Sequence, residues 1–149
     1  MKLKTGLWVV VADGSRAIVL ENQGTAANPA LKVLRVYDQD NPRTHELGRD
    51  QSPRTVQSAG RRKSALETPD LHQVAEDRFI EGIVVDLQHE VASGALGQVV
   101  VVAPPVALGS FRKCANDHLS KRVVAWIDKD LTKMPVPVIT EAVANALES

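Results

Sequence analysis

The sequence contains few of the residues on which catalytic, metal-binding and membrane functions are usually built. It has one cysteine, Cys114, which excludes an internal disulfide and a zinc site made of cysteines. Its aromatic residues are two Trp, two Phe and one Tyr, too few for a platform that stacks RNA bases. The longest apolar runs, 7–12 and 99–103, are far shorter than the roughly 20 residues of a membrane-spanning helix.

The amino-terminal residues do not have the pattern of a secretion signal. Lys2 and Lys4 make the start basic, but Asp13 ends the apolar stretch after six residues, which is shorter than the apolar core of a signal peptide. With 44% hydrophobic and 24% charged residues, the composition is typical of a globular protein. We therefore expect residues 1–149 to form one domain in the cytoplasm, without a membrane partner.

The charges are unevenly distributed along the chain. The net charge is zero, yet residues 43–63 carry six basic and two acidic side chains. That segment therefore has a net charge of +4 and the rest of the chain −4. Such asymmetry predicts a local contact with an anionic partner.

Hydrophobic patterning predicts five strands. A continuous apolar run at 7–12 and the valine-rich stretch 98–103 indicate strands that are buried on both faces. Asp13-Gly14 is typical of a tight hairpin turn, so 17–20 and 31–37 are expected to continue an antiparallel meander. A fifth strand is expected at 123–127.

Three helices are predicted between and after these strands. Residues 68–70 supply a cap, a proline and an acidic residue, which favour a helix start. An apolar stripe over 71–91, in which we expect Phe79 to be buried, predicts a helix that ends at Gly94. Further helices are expected at 104–119 and after Pro137.

The resulting order, βββαβαβα, predicts an α/β fold. A hairpin meander followed by right-handed crossovers forms one mixed five-stranded sheet with helices on both faces. The natural strand order is 3-2-1-4-5, with the meander on one side and the parallel strands added beside the first strand.

Residues 39–67 form a long basic connection between the third strand and the first helix. Apart from Leu47, Val56 and Leu66, the connection has almost no large apolar residue. We expect it to be a mobile loop within the domain, because a structureless connection of this length is usually functional or disordered. Docking of Val56 and Leu66 onto a second copy of the chain is an open alternative, which leaves a homo-oligomer open as well.

Two interpretations apply to the acidic residues. Asp13 at the end of the first strand, with Asp86 or Asp128, resembles the converging carboxylates of a metal-dependent nuclease. Alternatively, Asp13 only stabilises the turn and Asp86 is a solvated helix residue. The histidines lack metal-ligand spacing and Cys114 has no recognisable histidine partner. We therefore predict no catalytic residue, no metal site and no cofactor.

The candidate nucleic-acid-binding residues lie in the basic loop. Arg61, Arg62 and Lys63 are adjacent and follow Gly60, and Arg54 lies a few residues before them. Neutralising phosphates with these side chains would release counterions, so the binding would weaken steeply with salt. The alternative is a charge run that is only solvated.

Several separate segments resemble the bacterial host-attachment protein family, whose members are required for attachment to host cells. These segments are WVVVADGSRA at 8–17, SAG at 58–60, RKSALE at 62–67, EDRF at 76–79, VVVAPP at 100–105, LG at 108–109 and DKDLTK at 128–133. Among them we single out, as family-motif residues, Asp13, Arg16, Pro104, Pro105, Gly109, Asp128, Lys129 and Asp130.

The resemblance implies both a fold and a partner. The family is similar to the middle domain of archaeal and eukaryotic peptide-chain release factors, a fold related to ribonuclease H. In those factors a Gly-Gly-Gln loop before the long helix enters the peptidyl-transferase centre of the ribosome. Here Arg61-Arg62-Lys63 stands at the corresponding place, so the glutamine that positions water is absent.

We accordingly predict a non-catalytic, ribosome- or RNA-associated factor that uses the basic loop to contact phosphates. Two alternatives belong to other classes: a metal-dependent nuclease of ribonuclease-H-like fold, and a protein-interaction module that affects attachment indirectly. A nuclease requires a bound divalent ion, whereas an interaction module requires neither metal nor nucleic acid.

Limited proteolysis tests the prediction for the loop. Because 39–67 has few apolar residues to hold it against the domain, trypsin should cut first between Arg49 and Lys63. Mass spectrometry of the earliest fragments locates the cuts. Early cleavage elsewhere, with protection of this segment, would contradict the prediction.

Overall fold

The computed structural model describes residues 2–39 and 71–148. Residues 40–67 of the predicted basic loop therefore lie outside the described residues. The candidate nucleic-acid-binding residues in that segment are Arg54, Gly60, Arg61, Arg62 and Lys63.

The two continuous apolar runs form the centre of the sheet. β1 is Trp8–Ala12 and β4 is Val99–Ala103, and all ten residues are buried. The strands pair in parallel, with Trp8 opposite Val99. A strand with apolar residues on both faces needs cover on both sides, which is why this sheet lies between helices.

A meander extends the sheet on one side of β1. β2, Arg16–Asn22, returns antiparallel to β1, and β3, Leu31–Asp38, returns antiparallel to β2. β5, Val123–Asp128, pairs in parallel with β4 on the other side. The strand order is β3-β2-β1-β4-β5, which confirms the predicted mixed α/β sheet.

Four helices complete the described part of the fold. α1 is Leu71–Ser93, α2 is Pro105–Cys114, α3 is Asp117–Ser120 and α4 is Val136–Glu148. In the described ranges, no helix has the length and apolar character needed to cross a bilayer. The single helix expected at 104–119 was wrong, because Ala115 is extended and the Asn116 side chain caps a new helix by accepting from the Leu119 N–H.

The helices cover opposite faces of the sheet. One core lies under α1, α2 and α3 and includes Ile83, Phe111 and Leu119. The other lies under α4 and includes Ile139 and Val143. Both cores use alternate residues of the same central strands, so helices on both faces follow directly from the apolar runs.

The buried face of α1 contains residues of the expected stripe, and Phe79 lies at its margin. Phe79 is half-buried at the edge of the core, with its ring 6.5 Å from the Tyr37 ring in an edge-to-face arrangement. The fully buried residues are Ile80, Ile83, Val84 and Leu87. Phe79 therefore packs against the core as expected but is not fully buried, because the adjacent aliphatic residues occupy the centre of the buried face.

Substitution of Ile83 tests this register. Ile83 is 0% exposed, so Ile83→Ala should cost about 2–5 kcal/mol of unfolding free energy through lost burial and a residual cavity. Val85 on the same helix is 44% exposed, and Val85→Ala should stay within about 0.5 kcal/mol. Urea denaturation of both variants makes the comparison, and equal losses would contradict the register.

Candidate functional site at the carboxyl edge of the sheet

Most of the family-motif residues lie at one edge of the sheet. Because β1, β4 and β5 are parallel, the residues after their carboxyl ends meet at this edge. Asp13 follows β1, Pro104 follows β4, and Asp128 ends β5. In open α/β sheets this is the edge at which ligands usually bind.

Asp13 organises the turn between β1 and β2. Its Oδ1 accepts hydrogen bonds from the backbone N–H groups of Ser15 and Arg16, each at 2.8 Å. The Arg16 side chain is exposed and lies 3.8 Å from the Asp38 carboxylate on β3. One oxygen of Asp13 is thus committed to the hairpin turn, in agreement with the structural interpretation of Asp13-Gly14.

Thr132 joins this turn to the loop that follows β5. Its hydroxyl donates to Asp13 Oδ2 at 2.9 Å, and lies 3.0 Å from Asp130 Oδ1. One hydroxyl proton serves one carboxylate at a time. Thr132 is 5% exposed, so this hydroxyl is shielded from solvent. The contact fastens two loops that are 119 residues apart in the chain.

These hydrogen bonds determine the charge state of Asp13. Burial by itself would raise the pKa of this carboxyl group, but three hydrogen bonds from Ser15, Thr132 and Arg16, with the nearby Arg16 charge, lower it. A carboxylate held ionised, with both oxygens occupied, is a poor general base. Asp13 therefore has a structural role in the geometry described here.

The described residues do not form the carboxylate cluster of a nuclease. Within 2–39 and 71–148, no group of three or more His, Cys, Asp or Glu is placed to hold a metal ion. Asp86 accepts a hydrogen bond from the Tyr37 hydroxyl at 2.6 Å and lies 3.9 Å from Arg35. Asp128 is exposed at the end of β5. Convergence on two metals is what such chemistry requires.

Arg35 and Tyr37 connect the outer strand β3 to helix α1. Arg35 donates to Glu90 at 2.6 Å and to the Tyr37 hydroxyl at 3.2 Å. Burial and the Asp86 carboxylate raise the pKa of Tyr37 to about 12, so the phenol stays protonated and remains a donor. This network fixes the end of β3 against α1.

The two ends of the connection between β3 and α1 meet beside the Asp13 turn. Gln39 donates its backbone N–H to the Ser15 carbonyl at 2.7 Å and its side-chain amide to the Ala75 carbonyl at 3.1 Å. Glu76 packs directly on Gly14, where an added Cβ would lie 2.5 Å from the Glu76 carboxyl carbon. The chain therefore leaves and re-enters the described fold at the carboxyl edge of the sheet.

The remaining family-motif residues also have structural surroundings. Pro104 is extended (φ −68°, ψ 164°) and precedes α2, and Pro105 is the first residue of that helix, where a missing N–H costs nothing. Lys129 donates its backbone N–H to the Ala103 carbonyl at 3.1 Å. Gly109 has open space where a Cβ would project, so packing does not explain a glycine there.

Three contributors to this edge were missed in the sequence. Thr132 had a local signal, since an Asp two residues before a Thr is typical of an Asx turn, and the Thr132 N–H lies 3.4 Å from Asp130 Oδ1. Ser110, which donates to Asp77 at 2.7 Å, had none, because its partner is distant in the chain. Glu76 lies in the segment 76–79 that resembles the family, but its packing on Gly14 has no local signal.

Cys114 lies beside a cavity between α1 and α2. The cavity is about 150 Å³ and is lined by Asp77, Glu81, Ser110, Lys113 and Cys114. Burial, followed by the charges of Glu81 and Asp77, raises the pKa of the thiol. The thiolate is therefore disfavoured, and with it the nucleophilic form of this residue.

Substitution of Asp13 tests its structural role. Asp13→Ala removes three hydrogen bonds and should cost about 1–3 kcal/mol at pH 7. Because folding lowers the pKa of Asp13, its contribution is present above the unfolded pKa of about 3.9. It is lost as the pH falls through the lower folded pKa.

Urea denaturation at pH 7 and at pH 3 measures the difference. The destabilisation by Asp13→Ala should be smaller at the lower pH. Asp128→Ala, which alters an exposed carboxylate on the same edge, is the control and should have little effect at either pH. A loss from Asp13→Ala that is identical at both pH values would contradict a role for the charge.

Comparison with solved structures gives remote similarity to translation termination factors. The archaeal translation termination factor aRF1 matches with 15% identity and a TM-score of 0.44, covering 95% of this chain and 39% of that one. The S. cerevisiae translation termination-like factor Dom34 matches with 11% identity and a TM-score of 0.38, covering 98% and 38%. The chain thus spans about two fifths of each of these proteins.

Comparison with sequence families gives a direct assignment. No curated protein matches the chain. A family model described as "protein required for attachment to host cells" matches residues 8–143, which include every strand of the described residues and the first eight residues of α4. The match contains all the family-motif residues discussed above. The chain therefore belongs to the family of proteins required for attachment to host cells.

Proposed function

We propose that this protein is a non-catalytic, ribosome- or RNA-associated factor that contacts phosphates through Arg61, Arg62 and Lys63. The observation that carries the proposal is the segment 43–63, with a net charge of +4 in a chain whose net charge is zero. Clustered cations of this kind supply the sequence-independent part of nucleic-acid binding.

The hydrogen bonds at the flanks support the proposal. Gln39 contacts both Ser15 and Ala75, so the described residues on either side of the connection lie together at one corner of the sheet. When both flanks of a connecting segment are held against the folded domain, the segment loses less conformational entropy on binding. The base itself is held by the Asp13–Thr132 contact.

The chemistry of the described residues supports a role without catalysis. Both carboxylate oxygens of Asp13 are occupied, and the described ranges hold no metal-binding group of three or more His, Cys, Asp or Glu side chains. Arg61-Arg62-Lys63 replaces the glutamine that would position water in a release factor of the type this family resembles. Binding without hydrolysis is consistent with these residues.

The link to attachment is part of the proposal. The family description states a requirement for attachment to host cells and leaves the molecular activity open. We place the protein in the cytoplasm, where association with ribosomes or RNA would alter the synthesis of other proteins. Attachment would then be affected indirectly.

One observation favours a second candidate, a protein-interaction module. The outer strand β3 exposes Val33, Leu34 and Val36 by 42%, 40% and 65%, and within the described residues it pairs only with β2. Exposed apolar side chains on an edge strand are suited to contact with another protein or a second copy.

Co-sedimentation with ribosomes tests the proposed function. The triple variant Arg61→Ala, Arg62→Ala, Lys63→Ala should bind less tightly than the wild type and with a weaker salt dependence. The slope of log affinity against log salt should fall by about 0.7–0.9 for each lost phosphate contact. Measurements at two salt concentrations give both quantities.

A matched control separates the basic loop from total charge. Lys2, Lys4 and Lys32 are exposed, and replacing all three with Ala removes the same charge elsewhere. This control should bind almost as the wild type does. Unchanged affinity and slope in the loop variant would contradict the proposed function. The protein-interaction module would then be the favoured function. Cleavage of RNA that stops on chelation would instead support a nuclease.

A further inference from the structure

A second basic surface lies at the edge of the sheet opposite the Asp13 turn. α2 starts after the carboxyl end of β4 and returns across the sheet, so its last turn lies at the amino ends of the parallel strands. The Arg122 carbonyl accepts the Val99 N–H at 2.9 Å, which places the turn after α3 at the same edge. This surface, residues 112–122, is called the amino-edge surface below.

The amino-edge surface has a high density of positive charge. Its eleven residues include four basic side chains, Arg112, Lys113, Lys121 and Arg122, against one acidic side chain, Asp117, a net charge of +3. All four basic residues are exposed. In the described part of the chain none of them forms an ion pair, since the pairs there join Arg16 and Arg35 to carboxylates.

Arg112 is held in place by an aromatic ring. Its guanidinium carbon lies 4.9 Å from the centre of the Trp126 ring, and Trp126 packs edge-to-face on the buried Phe111 at 5.9 Å. A cation–π contact of this kind orients the guanidinium and leaves its N–H donors free for an incoming group. Phosphate oxygens are well matched to such a fork of donors.

The surroundings favour a polyanion over a folded protein partner. The exposed large hydrophobic residues of the described chain include none between 107 and 133. Protein interfaces depend on a buried apolar or aromatic centre, which this surface lacks. Nucleic-acid interfaces are more polar and far more positive, as this surface is.

The acidic residues of helix α1 limit the path that a polyanion can take across the amino-edge surface. α1 carries five acidic residues and one arginine, a net charge of −4, and Asp77 and Glu81 line the cavity beside Lys113. A polyanion is repelled from that side and attracted to the side of α3 and β5. The charge pattern therefore defines a track along the amino edge, away from α1.

We propose that the amino-edge surface binds the phosphate backbone of RNA, as a contact separate from the basic loop. This inference rests on the proposed RNA association. It adds a second binding site, formed by residues that the structure describes. Two separate basic sites would let one RNA contact the protein at two places, which raises the overall affinity and fixes the orientation of the protein.

Binding of a labelled single-stranded RNA to purified full-length protein tests the inference. The variant Lys113→Gln, Lys121→Gln, Arg122→Gln removes three charges and leaves Arg112 on its ring. We expect the slope of log affinity against log salt to fall by about 2, from about 0.7 per contact on single strands. At low salt the affinity should fall roughly tenfold or more.

The matched control removes three charges from the same edge of the sheet, but near β1 and β3 and away from β5. Lys2→Gln, Lys4→Gln, Lys32→Gln changes exposed lysines of the amino-terminal segment and β3, and should keep the affinity and slope of the wild type. The thermal midpoint, followed by circular dichroism, should be similar in both variants. Equal losses of affinity in the two variants would overturn the inference, because total charge would then explain them.

The loop variant makes the two proposals separable. If loss of Arg61, Arg62 and Lys63 weakens binding and the amino-edge variant does not, the inference is wrong and the proposed function stands. If the amino-edge variant alone weakens binding, the result supports the amino-edge site and contradicts phosphate contact by the basic loop. A polyglutamate peptide that displaces the RNA as effectively as unlabelled RNA would overturn the choice of RNA in favour of an acidic protein.

Discussion

The complete burial of two neighbouring strands is the constraint on which the rest of the molecule depends. β1 and β4 expose almost nothing on either face, so helices must cover both sides. α1, α2 and α3 cover one face and α4 covers the other. Because the parallel strands end together, the same arrangement creates two distinct edges: a carboxyl edge with the Asp13 turn, and an amino edge with the basic surface of residues 112–122.

The carboxyl edge illustrates how family-motif residues can be structural. Asp13 resembles a catalytic carboxylate in the sequence, yet its oxygens accept from Ser15, Arg16 and Thr132. Its lowered pKa follows from those bonds. The geometry therefore joins the β1–β2 turn to the loop after β5, and it supports the base from which the basic segment departs.

The charges of this protein are unevenly distributed. The segment 43–63 and the amino-edge surface are both basic, while α1 is acidic. A chain with zero net charge can in this way attract a polyanion at chosen places and repel it at others. The proposed association with RNA depends on these charges and on the family resemblance.

The sequence by itself determined the features that arise from local patterns. Continuous apolar runs specified β1 and β4, Asp13-Gly14 specified the turn, and the order of elements specified the sheet 3-2-1-4-5, because each signal lies within a few neighbouring residues. Only the tertiary structure decided how deeply each apolar residue of α1 is buried, that a capped break at Asn116 divides the helix, and that Thr132 meets Asp13 across 119 residues. It also decided that Arg112 rests on Trp126. Such contacts depend on where loops return in space, and spacing along the chain does not encode that position.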